Sequence, residues 1–422
     1  MTGTSPIRFF KPILMPSCCR SFASLLVAKL LALMLLVSPA AIVGQEQPGV
    51  AWQEWRLTSP RLEFGLGDEP VHRVVGAVLL NDGSLAIADG GNYRVVLVSG
   101  DGNAIRVLGR RGGGPGEFEY LARIFHGGGD TLVTYDGVRG RAAIWALESG
   151  ETFDFRLPIL DGQAPVVDGI VNDSILLLRT RGFERSGPDR LYVSESRMLL
   201  YWPRSDSTVT IDRRPGEYHY LVSEQFGGGQ SGQTTYAPPF LSTAHFAAGG
   251  QHYAVVPLDS AVVEVAEVLT NPNVPAYRIP LPIPAWLLSV EVVEHTRDSL
   301  LAGNRSWRYG SAEARDRIRR VFSDDFPLPD HGPAVRRLLA IGDHFWVEPH
   351  RQASEEFTQW FVVNPAAGTV VAEVNVPATE RVLSGNEHSV VLLARTPEDV
   401  EFVRVRGIER HAPSPAGGVP DH

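Results

Sequence analysis

The chain has 422 residues, 44% of them hydrophobic and 21% charged, with 42 glycines and 31 prolines, a balance that points to strands and turns rather than disorder. Its net charge is −9, and residues 1–44 hold Arg8, Lys11, Arg20 and Lys29 with no acid, so residues 45–422 carry −13; nucleic-acid binding, which needs a basic footprint, is disfavoured. Cys18, Cys19, Lys11 and Lys29 are the only cysteines and lysines, so beyond residue 44 there is no disulfide, thiolate metal site, cysteine nucleophile, lysine Schiff base or P-loop.

Residues 1–44 read as a signal peptide. The uncharged run Leu30–Gly44 matches a signal h-region and is short for a membrane span of about 20 residues. Ser38-Pro39-Ala40 and Ile42-Val43-Gly44 are candidate cleavage points, and no Cys follows Val37 to carry a lipid. The expected product is exported, periplasmic or extracellular, with no stable membrane anchor. An uncleaved N-terminal anchor is the competing reading.

Trp52–Leu57 alternates in period two and Arg61–Phe64 extends it, predicting one N-terminal strand without a local hairpin partner. Val74–Leu80 is an apolar run suited to a strand buried on both faces. Asn81-Asp82-Gly83 is a hairpin turn, because these residues tolerate positive φ. Ser84–Ala88, Tyr93–Val98 and Ala104–Leu108, separated by turns at Asp89–Asn92 and Ser99–Asn103, complete a four-stranded meander. Its length of roughly 40 residues is that of a propeller blade. The rhythm returns in blurred copies at Ala122–Leu157, Val166–Ile211, Leu241–Ile279, Val335–Val376 and Arg381–Val405, the last with only three strands. A radial array must close to protect its edges, so the N-terminal strand is expected to complete the last blade.

Trp286–Phe322 breaks this rhythm. Ala314, Ile318, Val321 and Phe322 share one helix face, with Ser311 as N-cap and Asp316–Arg320 as a flanking pair; Val293, Leu300 and Leu301 mark a preceding helix. Prolines 280, 282, 284, 327, 329 and 333 punctuate the segment. The expected organisation is a signal peptide over 1–44, an all-β six-bladed β-propeller of four-stranded antiparallel blades over 45–410, and a disordered Pro/Gly-rich tail over 411–422. A helical insertion at about 285–333 separates blades 4 and 5.

Gly109–Phe118 resembles the G-x-x-G-x-x-x-G-E-F segment of NHL-repeat β-propellers, and Asp82–Asp89 with Asn92-Tyr93-Arg94-Val95 resembles the rest of that repeat. The match is close over Asn81–Phe118. Elsewhere Asp136 keeps the strand-end Asp, and Arg139 or Arg141 stands where the repeat has Arg. With its signal segment and helical insertion, the chain is similar to bacterial secreted six-bladed β-propeller proteins of largely unknown function.

Candidate chemistry is sparse. The loop Gly109–Gly116 with Arg110 and Arg111 can act as an anion nest, or simply carry the chain from an outer strand to the next inner one. Asp89 and Asp136 suit either a channel mouth or a turn that they cap. His245 and His252 flank a Gly-Gly turn, and His344 and Glu348 share a strand face near His350. Metal ligation is conceivable there, but no HExxH-type spacing exists, nor a G-x-S-x-G elbow. No cofactor is assigned.

The long segments carry more weight. Arg213–Pro239, Pro282–Pro333, Thr180–Asp189 and Pro349–Glu355 all fall in connections expected on one face, and insertions gathered on one face mark a binding face. The candidate ligand-binding residues are Arg110, Arg111, Arg213, Arg214, Tyr218, Tyr236, His350 and Arg351. The expected function is an exported, monomeric, non-catalytic propeller that binds a protein, peptide or glycan. A metal-dependent hydrolase, lactonase or lyase with its site at the central channel is the alternative.

Overall fold

The computed structural model describes residues 52–411 except 68, 139, 161, 183–189, 227–229, 237–238, 271–273, 304–310, 324–327 and 351–355. The expected signal segment and residues 412–422 lie outside the described residues. These residues form an all-β, propeller-like assembly. Strand β1 (Gln53–Phe64) comes first. Then come β2 (Val74–Leu79), β3 (Leu85–Asp89), β4 (Arg94–Val98) and β5 (Ala104–Leu108), and β6 (Leu121–His126), β7 (Thr131–Asp136), β8 (Arg141–Ala146) and β9 (Thr152–Arg156). The next strands are β10 (Val166–Val171), β11 (Ile175–Arg181), β12 (Arg190–Trp202), β13 (Ser207–Phe226) and β14 (Gln230–Tyr236). β15 (His245–Gly249), β16 (His252–Val256), β17 (Val262–Glu267) and β18 (Tyr277–Pro280) precede helices α1 (Val290–Gly303) and α2 (Ser311–Val321). β19 (Val335–Ile341), β20 (His344–Pro349), β21 (Phe357–Asn364), β22 (Thr369–Pro377), β23 (Arg381–Gly385), β24 (Ser389–Arg395) and β25 (Glu401–His411) complete the order.

Burial explains the strand compositions. Central strands are near-continuous apolar runs, and β3 is buried at all five positions because both its faces are covered. Outer strands alternate, as in Thr369–Pro377, where every second residue is buried. Among the described residues, six apolar clusters lie between successive four-strand runs. The first strands of those runs touch in closed succession: β2 with β6, β6 with β10, β10 with β15, β15 with β19, β19 with β23 and β23 with β2.

The sheets are not six separate four-stranded units. Two are four-stranded, β2–β5 and β6–β9; one has eight strands and one nine. β1 runs antiparallel to β25 from Glu54–His411 to Phe64–Val403, and also parallel to β22 over Gln53–Trp55, which fuses two runs into the eight-stranded sheet. The nine-stranded sheet is joined where Gly169 of β10 meets Ala248 of β15. A Cβ on Gly169 would lie 2.7 Å from the Ala248 carbonyl oxygen, so only glycine permits this approach. His411, expected to open the tail, instead ends β25 opposite Glu54.

Arg213–Pro239 is not a loop either. β13 continues through Pro215 and pairs with β12 as far as Arg190–Leu221, then with β14 from Tyr220–Tyr236 to Phe226–Gln230. Pro215 is tolerated because it borders a bulge between the Val193 and Glu195 pairings. In the helical segment, Ile318, Val321 and Phe322 are half-buried, whereas Leu300 points outward at 48% exposure. Asp316 pairs with Arg319 at 2.9 Å, three residues on rather than four.

Candidate functional site

The glycine loop binds an anion, and that anion is its own Glu117. Gly109 and Gly116 have φ of +77° and +68°, which glycine adopts without steric cost. The resulting fold sets the Gly114 N–H 2.8 Å from Glu117 Oε2 and Arg110 Nε 2.8 Å from Oε1. Gly116 N–H donates to Asp154 at 3.0 Å. Arg141 clamps the loop by donating to the carbonyls of Gly113 (3.0 Å), Gly114 (2.8 Å) and Glu117. Arg110 and Arg111 are exposed, and the Arg111 guanidinium lies 5.1 Å from the centre of the Tyr93 ring.

The Gly114 N–H, then Arg110, hold the Glu117 carboxyl below its ordinary 4.5. A lowered folded-state value means the stabilisation is complete above the unfolded pKa and is lost as pH falls through the folded one. Glu117→Gln is therefore expected to melt below the wild type at neutral pH, and the two melting temperatures should converge as pH is lowered below the ordinary carboxylate range. A difference that stays constant through the acid range would contradict this placement.

The strand-end aspartates hold the crossovers. Asp89 is fully buried and accepts the His72 N–H (3.0 Å), Asn92 Nδ2 (2.8 Å) and Arg94 Nε (2.9 Å). This is the physical content of the Asp-x-x-Asn-x-Arg spacing. Asp136 accepts the N–H groups of Glu119 (2.7 Å), Tyr120 (3.2 Å) and Val138 (3.1 Å). Arg141, by contrast, serves the glycine loop, and Arg139 lies outside the described residues.

The histidines do not converge with Glu348. His245 Nε2 sits 3.1 Å from the Val335 carbonyl, and burial pushes its pKa below 6.5. His344 packs edge-on to Trp55 with ring centres 5.5 Å apart. Glu348, 3% exposed, bonds Arg336 at 3.1 Å and Arg337 more closely. Among the described residues, no group of three or more His, Cys, Asp or Glu side chains is placed to hold a metal ion.

Several predicted ligand contacts serve the fold instead. Arg214 bridges Asp212 and Glu264, the latter at 2.7 Å. The Tyr218 hydroxyl donates to Asp259, a bond that, aided by burial, pushes the phenol up to about 12. Both contacts tie β13 to the β16–β17 region. Arg213 is exposed, 3.7 Å from Glu195. The Tyr236 backbone faces Tyr220, and Arg351 lies outside the described residues.

Two of the long segments, with Phe240 just after a third, do meet in an aromatic cluster. Trp286 stacks on His350 with ring centres 5.1 Å apart and planes 17° apart. Phe240, just beyond β14, meets Trp286 edge-on at 6.4 Å and Phe322 at 6.2 Å. The indole N–H donates to the Pro333 carbonyl at 3.0 Å, and the His350 N–H donates to Ala334 at 2.8 Å. Beside this cluster lies a cleft of about 460 Å³ between Pro282, Pro284, Trp286 and His350 on one side and Phe357 and Gln359 on the other. Phe357 is 48% exposed. The lining mixes polar and apolar surface, with Trp286, Phe357 and the prolines beside Gln359, and its rings and prolines can stack against a ring or a proline of a ligand.

No family model matches the chain, and no curated protein matches it. Solved structures do. One is a protein described as exported from Bacteroides fragilis, 13% identical, with 86% of this chain and 97% of that one covered and a TM-score of 0.45. A DUF4221-family member from Bacteroides vulgatus is 10% identical, with 85% and 99% covered and a TM-score of 0.48. Virginiamycin B lyase from Staphylococcus aureus is 9% identical, with 84% and 99% covered and a TM-score of 0.39.

Among the described residues, His350 is the only predicted site residue that belongs to the cleft. Trp286, Pro282, Pro284 and Phe357 were not singled out as ligand contacts. The prolines did mark the edge of the insertion, and that was the only available signal.

Proposed function

We propose that this chain is an exported six-bladed β-propeller that binds a protein, peptide or glycan through the cleft beside its helical insertion. The supporting observation is the Trp286–His350 stack, which brings the insertion and the segment after β20 together around this cleft. The closed succession of first strands, and the β1–β25 pairing, support six blades despite the merged sheets. On this reading residues 1–44 are the signal peptide, 45–411 the propeller and 412–422 a tail. Among the described residues no helix is long and apolar enough to cross a membrane. The protein acts as a monomer outside the cytoplasm, periplasmic or extracellular, and does not bind nucleic acid.

The test is a glycan array and a proline-containing peptide array probed with the chain from Gln45, with Trp286→Ala and Phe357→Ala alongside. A central aromatic contact typically contributes about 2 kcal/mol or more to binding, roughly thirtyfold in affinity. Captured probes should be lost by Trp286→Ala and weakened by Phe357→Ala while both variants still melt cooperatively. Binding unchanged in both variants, or no capture by the wild type, would overturn the proposal.

A further inference from the structure

We infer that the end of the ring where β19 and β23 begin holds a second recognition site, selective for an oxyanion: a carboxylate, sulfate or phosphate group on a small ligand or chain. It does not depend on the aromatic cleft being occupied.

Four arginines gather there. Arg336 and Arg337 lie at the bulge near the start of β19, where the ladder shifts between Val335 and Arg337. Arg381 opens β23, and Arg395 closes β24. The adjacency of β19 with β23, and of β23 with β2, brings these strand ends together. Two carboxylates are built into the group. Glu348 is shared by Arg336 and Arg337, and Glu401 takes Arg395 at 2.7 Å and the Val74 N–H at 2.8 Å. Asp399, largely in water, accepts a second bond from Arg395 at 2.8 Å.

Arg381 stands apart from this pairing. Its one hydrogen bond among the described residues goes to the Val74 carbonyl, at 3.0 Å. A guanidinium has five N–H donors, so most of its fork is free. The side chain reaches water, yet protein crowds it. Burial, then Arg337, and further Arg395 and Arg336 push its pKa down, against Glu401 alone pushing up. Its neighbourhood is therefore cationic, in a chain that carries −13 beyond residue 44.

The supports on either side are rigid. The Arg337 guanidinium sits 5.1 Å from the centre of the buried Trp360 ring and donates to the Val382 carbonyl at 2.9 Å. Arg336 keeps 55% of its side chain exposed while one nitrogen holds Glu348. Two partly free forks at the starts of neighbouring strands can grip one oxyanion between them. Arg381 has no carboxylate hydrogen-bonded to it among the described residues and is repelled by Arg337, Arg395 and Arg336, and a bound oxyanion relieves that repulsion.

The probes are sodium sulfate, sodium phosphate and sodium glucuronate, each titrated against sodium chloride at matched ionic strength. Melting temperature is read because a ligand that binds only the folded state raises it saturably. The wild type should show a saturable rise above chloride with at least one probe, and the probe that acts distinguishes sulfate, phosphate and carboxylate sources. Arg381→Gln and Arg336→Gln should each weaken the apparent affinity by about tenfold or more, the loss expected for a charge-assisted bond. Arg204→Gln, an exposed arginine in the β12–β13 turn, should leave the response intact. Arg336→Gln, at a largely exposed position, keeps the test decisive if Arg381→Gln fails to fold. No saturable rise beyond chloride, or one retained in Arg336→Gln, would overturn the inference.

Discussion

A chain lacking residues 52–64 is expected to lose its cooperative melting transition altogether. β1 contributes Trp55 (4% exposed) to one apolar cluster and Leu62 (6%) and Phe64 (7%) to another. Each such side chain is worth about 1.5–3 kcal/mol when buried. Deletion also strips the ladder from one edge of β25 and removes Glu63 from Arg404 (2.6 Å) and Thr58 from the Gly407 N–H (2.9 Å). Together these losses approach the whole stability of a typical domain, about 5–15 kcal/mol. Circular dichroism melting of the shortened and full chains, with dye binding to report exposed apolar surface, is the measurement. A truncated chain melting within a few degrees of the full one would mean that β1 is ornamental.

The second large effect is expected from Trp360→Ala. Trp360 is 1% exposed on β21, its ring 6.3 Å from that of Trp346, which in turn lies 6.3 Å from Trp55. Removing so large a buried ring costs about 3–5 kcal/mol, because the surrounding sheet collapses only partly into the space. For a chain of this size that is a fall in melting temperature of roughly 4–7 °C. Arg337 loses the ring beneath its guanidinium at the same time, so the oxyanion response should weaken along with stability. A shift of a degree or less would show that the site repacks.

What the sequence disclosed was whatever is local or forced by an odd strand. Asp89, Asn92 and Arg94 sit within six positions and could be read as a unit, and the structure joins them in hydrogen bonds. β1 had no neighbour to pair with, and its partner was inferred at the far end of the chain. The merging of sheets at Gly169 and Ala248 was invisible, because it depends on an approach between residues far apart in sequence. The copy read as ending at Ile211 runs on past Pro215 instead, because a bulge admits the proline into β13. Arg214 and Tyr218 looked available for a ligand because their partners, Glu264 and Asp259, lie on later strands. The cleft and the arginine group share that difficulty: each is assembled from separate runs, and no spacing links Trp286 to Phe357 or Arg336 to Arg381.

The pairing of β1 with β25 also imposes a timetable. Glu54 must find His411, more than 350 positions later. At a synthesis rate of about 5–20 residues per second, the first strand waits roughly 20–70 seconds for its partner. Throughout that interval β25 does not exist, and Trp55, Leu62 and Phe64 have no completed ring in which to hide. Ring closure by this pairing therefore waits on delivery of the C-terminal strand, whatever the intrinsic speed of any hairpin. Any factor that shields Trp55, Leu62 and Phe64 of β1 during that wait would act on this protein more strongly than one that accelerates folding of its sheets.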